Sequence, residues 1–180
     1  MKSNDEFILI SKVIAYNDHR AFEKLISLHQ NGLKNFLLKL LNFNENEVDD
    51  LYQETCSKIF RNLKRFRGDS TFKTWSFKIA YNTFLNHKKK DRNIQTLKHN
   101  LSKTEETTNQ NVQDMKIDLE AMIKILRPEE KAAIQLAYIQ GLSHKDISVV
   151  LECPLGTVKS LIKRGKEKIA SRFNNYQNEQ

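Results

Sequence analysis

Between Asn93 and Gln113 the chain is dominated by Thr, Asn, Gln, Ser and Glu, and its sizeable apolar residues are Ile94, Leu97, Leu101 and Val112 alone. A segment so poor in apolar surface cannot offset the entropy lost on ordering it. Residues 93–113 are therefore expected to form a flexible linker spanning about 25 Å by random-coil statistics. The 180 residues then divide into two small units, 1–92 and 114–180, each with a modest core. Five glycines and two prolines are few for this length, and scarce breakers favour helices over hairpin-rich sheets. The expected fold class is all-α.

Several functional classes are not expected. No run approaches the roughly 18 apolar residues of a membrane span, and Met1-Lys2-Ser3-Asn4-Asp5-Glu6 does not open a signal peptide. Cys56 and Cys153 form no C-x-x-C pair and have no histidine at zinc spacing, so neither a disulfide scaffold nor a structural metal is expected. No glycine-rich phosphate loop is present. The expectation is a soluble cytoplasmic protein with no cofactor and no small-molecule substrate.

The net charge of +8 is unevenly distributed. Residues 57–92 carry 11 basic against 2 acidic side chains, and 154–180 carry 6 against 2, whereas 1–56 are acidic, with 9 against 6. Two separated basic patches fit two contacts with one long polyanion.

Upstream of the linker the apolar spacing is helical throughout. Ala21, Phe22, Leu25, Ile26, Leu28 and His29 recur at helical intervals, and Leu33, Phe36, Leu37, Leu40 and Leu41 continue beyond Gly32, where a break or kink is expected. Val48, Leu51, Tyr52, Thr55, Cys56, Ile59, Phe60 and Leu63 form the best amphipathic helix, with Asn46 as its expected N-cap and Glu47, Asp49 and Asp50 in its first turn. Its outer face carries Asp49, Asp50, Gln53, Glu54, Ser57, Lys58 and Arg61. Taken alone this is a solvated face with a Glu54–Lys58 pair. Adjacent carboxylates point about 100° apart on a helix, and no His or Lys converges on them within this segment, so no catalytic residue is expected.

Residues 57–92 hold seven of the sixteen aromatics: Phe60, Phe66, Phe72, Trp75, Phe77, Tyr81 and Phe84. Phe72, Trp75 and Ile79 form one stripe; Phe77, Tyr81 and Phe84 form a second, about 160° away. A helix buried on both sides accounts for most of these rings. It does not account for Arg61, Lys64, Arg65, Arg67, Lys73, Lys78 and the Lys88-Lys89-Lys90 run. Cations interleaved with ring faces suit unpaired nucleic acid, whose backbone they track while bases stack. The loop Arg67-Gly68-Asp69-Ser70 has partners for an extruded base.

The run from Leu142 to Ile169 reads as a helix-turn-helix. Ser143 and Asp146 form a capping box, Glu152-Cys153-Pro154 a short turn, and the second helix buries Val158, Leu161, Ile162, Gly165 and Ile169. Thr157, Lys159, Ser160, Lys163, Arg164, Lys166 and Lys168 stay outside, as insertion in a major groove requires.

The blocks Asp49-Asp50-Leu51-Tyr52-Gln53-Glu54-Thr55, Phe72-Lys73-Thr74-Trp75 and Ile79-Ala80-Tyr81-Asn82 resemble domain two of bacterial sigma factors. Leu126-Arg127-Pro128-Glu129-Glu130-Lys131, Gly141-Leu142-Ser143 and Leu155-Gly156-Thr157-Val158-Lys159-Ser160 resemble domain four. Two such domains on a tether resemble the small extracytoplasmic-function group. The resemblance implies that Asp49, Asp50, Leu51, Gln53 and Glu54 dock on the β′ subunit of core RNA polymerase, with β as a further contact. It implies that Arg67, Phe72, Lys73, Trp75, Lys78, Tyr81, Asn82, Lys88 and Lys89 melt and hold the −10 promoter element. It implies that Thr157, Val158, Lys159, Ser160, Lys163 and Arg164 read the −35 element, and that an anti-sigma factor is a partner. The chain departs from the family at Leu161, where Arg is common, at Gly165, where Ala is common, and at Glu152, where glycine is frequent. The alternative is a helix-turn-helix regulator acting without polymerase, which leaves the 49–54 face without a purpose.

Overall fold

The computed structural model describes residues 2–99 and 115–178. The first group of helices comprises α1 (Lys2–Tyr16), α2 (His19–Ser27), α3 (Gln30–Leu40), α4 (Glu45–Asn62) and α5 (Phe72–His99), with a 3₁₀ turn at Leu63–Arg65. The second comprises α6 (Met115–Lys124), α7 (Pro128–Ile134), α8 (His144–Leu151) and α9 (Leu155–Asn178), α7 running into a π-helical turn at Gln135–Ile139. Every regular element among the described residues is helical, as the scarcity of breakers predicts.

The boundaries differ from the sequence reading at three points. The chain breaks at Leu28–His29, and Gly32 lies inside α3. A Cβ at Gly32 would sit 3.0 Å from Gln140 Oε1 and 3.4 Å from Phe77 Cζ, so this glycine serves close approach rather than a bend. The N-cap of α4 is Asn44, not Asn46, and its Nδ2 donates to Glu47 Oε1 at 2.6 Å. Finally, α5 continues to His99, past the boundary expected at Arg92. No glycine or proline intervenes between Gly68 and Pro128 to stop it. The remainder of the expected linker, 100–113, lies outside the described residues.

Leu25, Leu33, Phe36, Leu37, Ile59, Leu63, Phe77 and Phe84 are fully buried in the first group, with Phe36 and Phe77 meeting edge to face at 5.2 Å. Ala132, Ala133, Leu136, Ile147, Val150 and Val158 fill the second. Two separate cores are expected from the sequence, but α8 packs on α5 and α7 on α3, and the buried residues form one continuous body. The shared element is α5: Phe72 and Phe77 meet His29 and Phe36 of its own group, while Thr74 and Lys78 reach Asp146 and Glu152 of the second.

Gly165 is also a packing residue. A Cβ there would lie 2.9 Å from Ile134 Cγ1 and 3.3 Å from its Cδ1, because α9 presses against α7. In an exposed helix Gly→Ala gains about 1 kcal/mol. Here overpacking costs about 1–3 kcal/mol, so Gly165→Ala is expected to lower stability by about 1 kcal/mol. A urea midpoint above that of the parent chain would refute this.

Candidate functional site

Three surfaces carry the residues singled out by sequence. On α4, Val48, Leu51, Thr55 and Ile59 are buried, while Asp49, Asp50 and Gln53 are exposed and Glu54 is half-buried. Leu51 is therefore corrected from a contact residue to a core residue that holds the face in place. Asp49 pairs with Lys34 at 2.7 Å and Glu54 with Lys58 at 2.8 Å. The Lys58 ammonium holds the Glu54 carboxyl below the usual carboxylate range. Such exposed pairs contribute at most about 1 kcal/mol, so the carboxylates remain available to a partner. Beside them His87 bridges Glu47 (Nε2 to Oε2, 3.1 Å) and Asp91 (Nδ1 to Oδ1, 3.7 Å). One ligand atom from each of Glu47, His87 and Asp91 lies within 4.8 Å of the others.

The basic–aromatic segment is more buried than its composition suggests. Phe72 is 2 % and Tyr81 3 % exposed, and Trp75 and Asn82 are half-buried. Phe72 lies against Phe66, Trp75 and His29, with ring centroids 6.0, 5.9 and 5.2 Å away. Tyr81 stacks on Phe84 at 6.4 Å, and burial followed by the Glu129 charge drives its hydroxyl pKa up. As a stacking surface for bases, Phe72 and Tyr81 are thus corrected: in this arrangement they pack the core. Trp75 keeps part of its ring at the surface, and Arg67 and Lys89 are exposed. Gly68 takes φ +79 in the loop after Arg67, where a non-glycine residue would be strained.

Lys73 and Lys78 turn toward the second helical group. Lys73 Nζ donates to the Gln140 carbonyl at 2.5 Å, and Lys78 Nζ pairs with Glu152 Oε1 at 2.8 Å. Between them Thr74 Oγ1 donates to Asp146 Oδ1 at 3.3 Å. Lys88 is half-buried and lies 3.6 Å from Asp91. Lys131 of α7 is buried and donates to Asn42 Oδ1. Burial, followed by the Lys124 and Lys88 charges, brings its ammonium down to about 8.

The helix-turn-helix forms as read. Ser143 caps α8, its Oγ accepting from the Asp146 N–H at 3.1 Å. The helix ends at Glu152 with φ 52 and ψ 43, in the left-handed region. On α9, Thr157, Lys159, Ser160, Lys163 and Arg164 are exposed on one continuous face, whereas Leu161 and Ile162 are buried. Val158 is 0 % exposed, as the apolar spacing of α9 expects, so the DNA-reading role that the resemblance implies for it is corrected: it is a core residue. Leu161, one of the positions at which the chain departs from the resemblance, is a core residue here.

Two features of the second group escape the sequence reading. Glu130 is fully buried and accepts from the Arg127 N–H (3.1 Å), Nε (3.2 Å) and Nη2 (3.0 Å), and from Lys168 Nζ (2.7 Å). Burial alone would raise its carboxyl, but the Lys168 and Arg127 hydrogen bonds outweigh that and hold it at about 2. The signal was a glutamate two residues after a helix-opening proline, a capping-box position. The second feature is an open apolar groove lined by Ile134, Tyr138, Ile169, Ala170 and Phe173. Lys166 sits over the Tyr138 ring at 5.9 Å.

The chain matches the family model for Sigma-70 region 2 over residues 25–94 and that for Sigma-70, region 4 over 116–169. It is similar to the ECF RNA polymerase sigma-E factor of Haemophilus influenzae, 31% identical over 174 residues, covering 89% of this chain and 91% of that one. It is similar to the RNA polymerase sigma-H factor of Pseudomonas aeruginosa, 31% identical over 166 residues and covering 84% and 86%. In fold it resembles the sigma factor RpoE solved in complex with the anti-sigma factor NepR from Bartonella quintana, with TM-score 0.71 at 24% identity over 85% of this chain and 96% of that one. It also resembles CnrH in complex with the cytosolic domain of CnrY, with TM-score 0.70 at 20% identity over 95% and 98%. The chain belongs to the sigma-70 family, in its extracytoplasmic-function group, the transcription initiation factors that bind core RNA polymerase and direct it to promoters.

Proposed function

We propose a division of labour among the three surfaces. The exposed Asp49, Asp50, Gln53 and Glu54 of α4 dock on the β′ subunit, where complementary charge sets register and encounter rate. Arg67 of the preceding loop and Lys73, Trp75, Lys78, Asn82, Lys88 and Lys89 of α5 hold the unpaired −10 strand, cations on phosphates and the Trp75 ring against a base. Thr157, Lys159, Ser160, Lys163 and Arg164 of α9 read the −35 duplex, the small hydroxyls near base edges and the cations on phosphates. Melting is driven by binding of the single strand, so the chain acts as an initiation factor in the cytoplasm rather than as an enzyme. The apolar groove beside Tyr138 and Phe173 suits an amphipathic helix of a partner. The β subunit and an anti-sigma factor are the proposed occupants.

The single observation that carries this reading is the exposed polar and basic face of α9 on a capped helix-turn-helix, in a chain that also presents the acidic α4 face. The test is transcription in vitro with core polymerase and a promoter library. Transcripts that depend on the chain are expected from a subset of templates. A folded chain that supports none would sink the proposal.

A further inference from the structure

Three polar ties join the −10 face of α5 to the second helical group, and all run the same way. The donors, Lys73, Thr74 and Lys78, are on α5, and the acceptors are the Gln140 carbonyl and the carboxylates of Asp146 and Glu152. Acceptor oxygens are also what a nucleic-acid strand would offer to those donors. Glu152 stands out among them. It holds φ 52, a region that residues with a Cβ enter rarely and that glycine occupies without strain. A strained side chain persists where its surroundings compensate it, and here its carboxylate reaches across to Lys78 at 2.8 Å. Next to this tie Tyr81 is buried. The outer face of α9, from Thr157 to Arg164, remains exposed in the same arrangement.

We propose that Glu152 is a built-in stand-in for a DNA phosphate, latching the helix-turn-helix onto α5 so that in the free chain Lys73, Thr74 and Lys78 are taken up, while the rest of the single-strand face and the duplex-reading face stay open. The inference rests on the assignment of α5 to unpaired DNA. In the closed chain the −35 surface binds duplex, and a strand entering at α5 has to displace Glu152 from Lys78. The pair is partly exposed, with side chains 35% and 55% accessible, so its effect is a bias of about three- to fivefold, not an absolute block. Salt weakens it.

The test uses the full-length chain. Small-angle scattering reads closure without DNA, and fluorescence anisotropy reads binding of a labelled random-sequence single-stranded oligonucleotide pool. Glu152→Gln, which removes the charge, and Glu152→Gly, which also removes the strain, are expected to expand the chain at low salt. Both should raise single-strand affinity about three- to fivefold. Lys78→Glu should expand the chain too, and adding Glu152→Lys to it should restore compaction. Unchanged scattering in both Glu152 variants overturns the latch. Expansion without a gain in single-strand binding overturns its inhibitory role. If no variant and no salt condition gives single-strand binding although the scattering responds, the assignment of α5 fails while the contact itself stands.

Discussion

The double variant Asp50→Lys/Glu54→Lys is expected to lose promoter-directed transcription by about 100-fold or more at limiting core polymerase, while its affinity for duplex DNA stays unchanged or rises. Asp50 is exposed and Glu54 half-buried, on the flank of α4 beside Leu51 and His87, so neither side chain is itself part of the core. The substitution at Glu54 removes its pair with Lys58 and its attraction to Lys90 and His87. Like charges juxtaposed across an interface cost several kcal/mol, and each 1.4 kcal/mol is a factor of ten in affinity. Reversing two such charges therefore removes polymerase binding without unfolding the helix. Co-sedimentation with core polymerase, run beside the transcription assay, separates this from a defect in DNA reading. Transcription that survives with core binding unchanged would favour a regulator acting without polymerase.

The largest stability effect is expected at Glu130. Its folded pKa of about 2 lies below the ordinary 4.5, so the group contributes stability that is complete above about 4.5 and is lost as pH falls toward 2. At about 1.4 kcal/mol per pKa unit, the contribution at neutral pH is roughly 3 kcal/mol. Breaking a buried pair by removing one partner costs a similar amount, about 3–5 kcal/mol. Glu130→Gln keeps the shape and removes the charge that Arg127 and Lys168 share. Lys168 is 40% accessible and regains water, which places the loss at the lower end. Urea unfolding should give a difference of roughly 3 kcal/mol from the parent chain at pH 7, shrinking by more than half at pH 3. A difference of equal size at both values would contradict the charge account.

The helices and the helix-turn-helix were legible because their signals are local. The spacing from Val48 to Leu63 shows as the buried stripe of α4, and Ser143 with Asp146 marks the start of α8. The apolar spacing of α9 likewise marks Leu161 and Ile162 as part of its buried side. What sequence could not carry is which apolar stripe meets which neighbour. Phe72 and Tyr81 have the composition of a nucleic-acid surface, and only tertiary packing decides that they are buried. Gly165 looks like a weak point in a helix until Ile134 is placed beside it. Nor does any local signal connect Lys78 with Glu152, because the contact joins two groups separated by the polar stretch.

The π-helical turn at Gln135–Ile139 has a consequence for how the seam between the two groups is encoded. It closes through a hydrogen bond from the Gln140 N–H to the Gln135 carbonyl at 2.9 Å, the wide spacing that one additional residue gives to an α-helix. Removing one residue there would return the segment to regular α-helix and rotate the chain downstream of it by about 100°. The Gln140 carbonyl would then point away from Lys73, and Tyr138 away from its groove. The alignment of the two halves is thus written partly as a count of residues, so a relative can alter it by a single-codon deletion without changing any side chain at the contact.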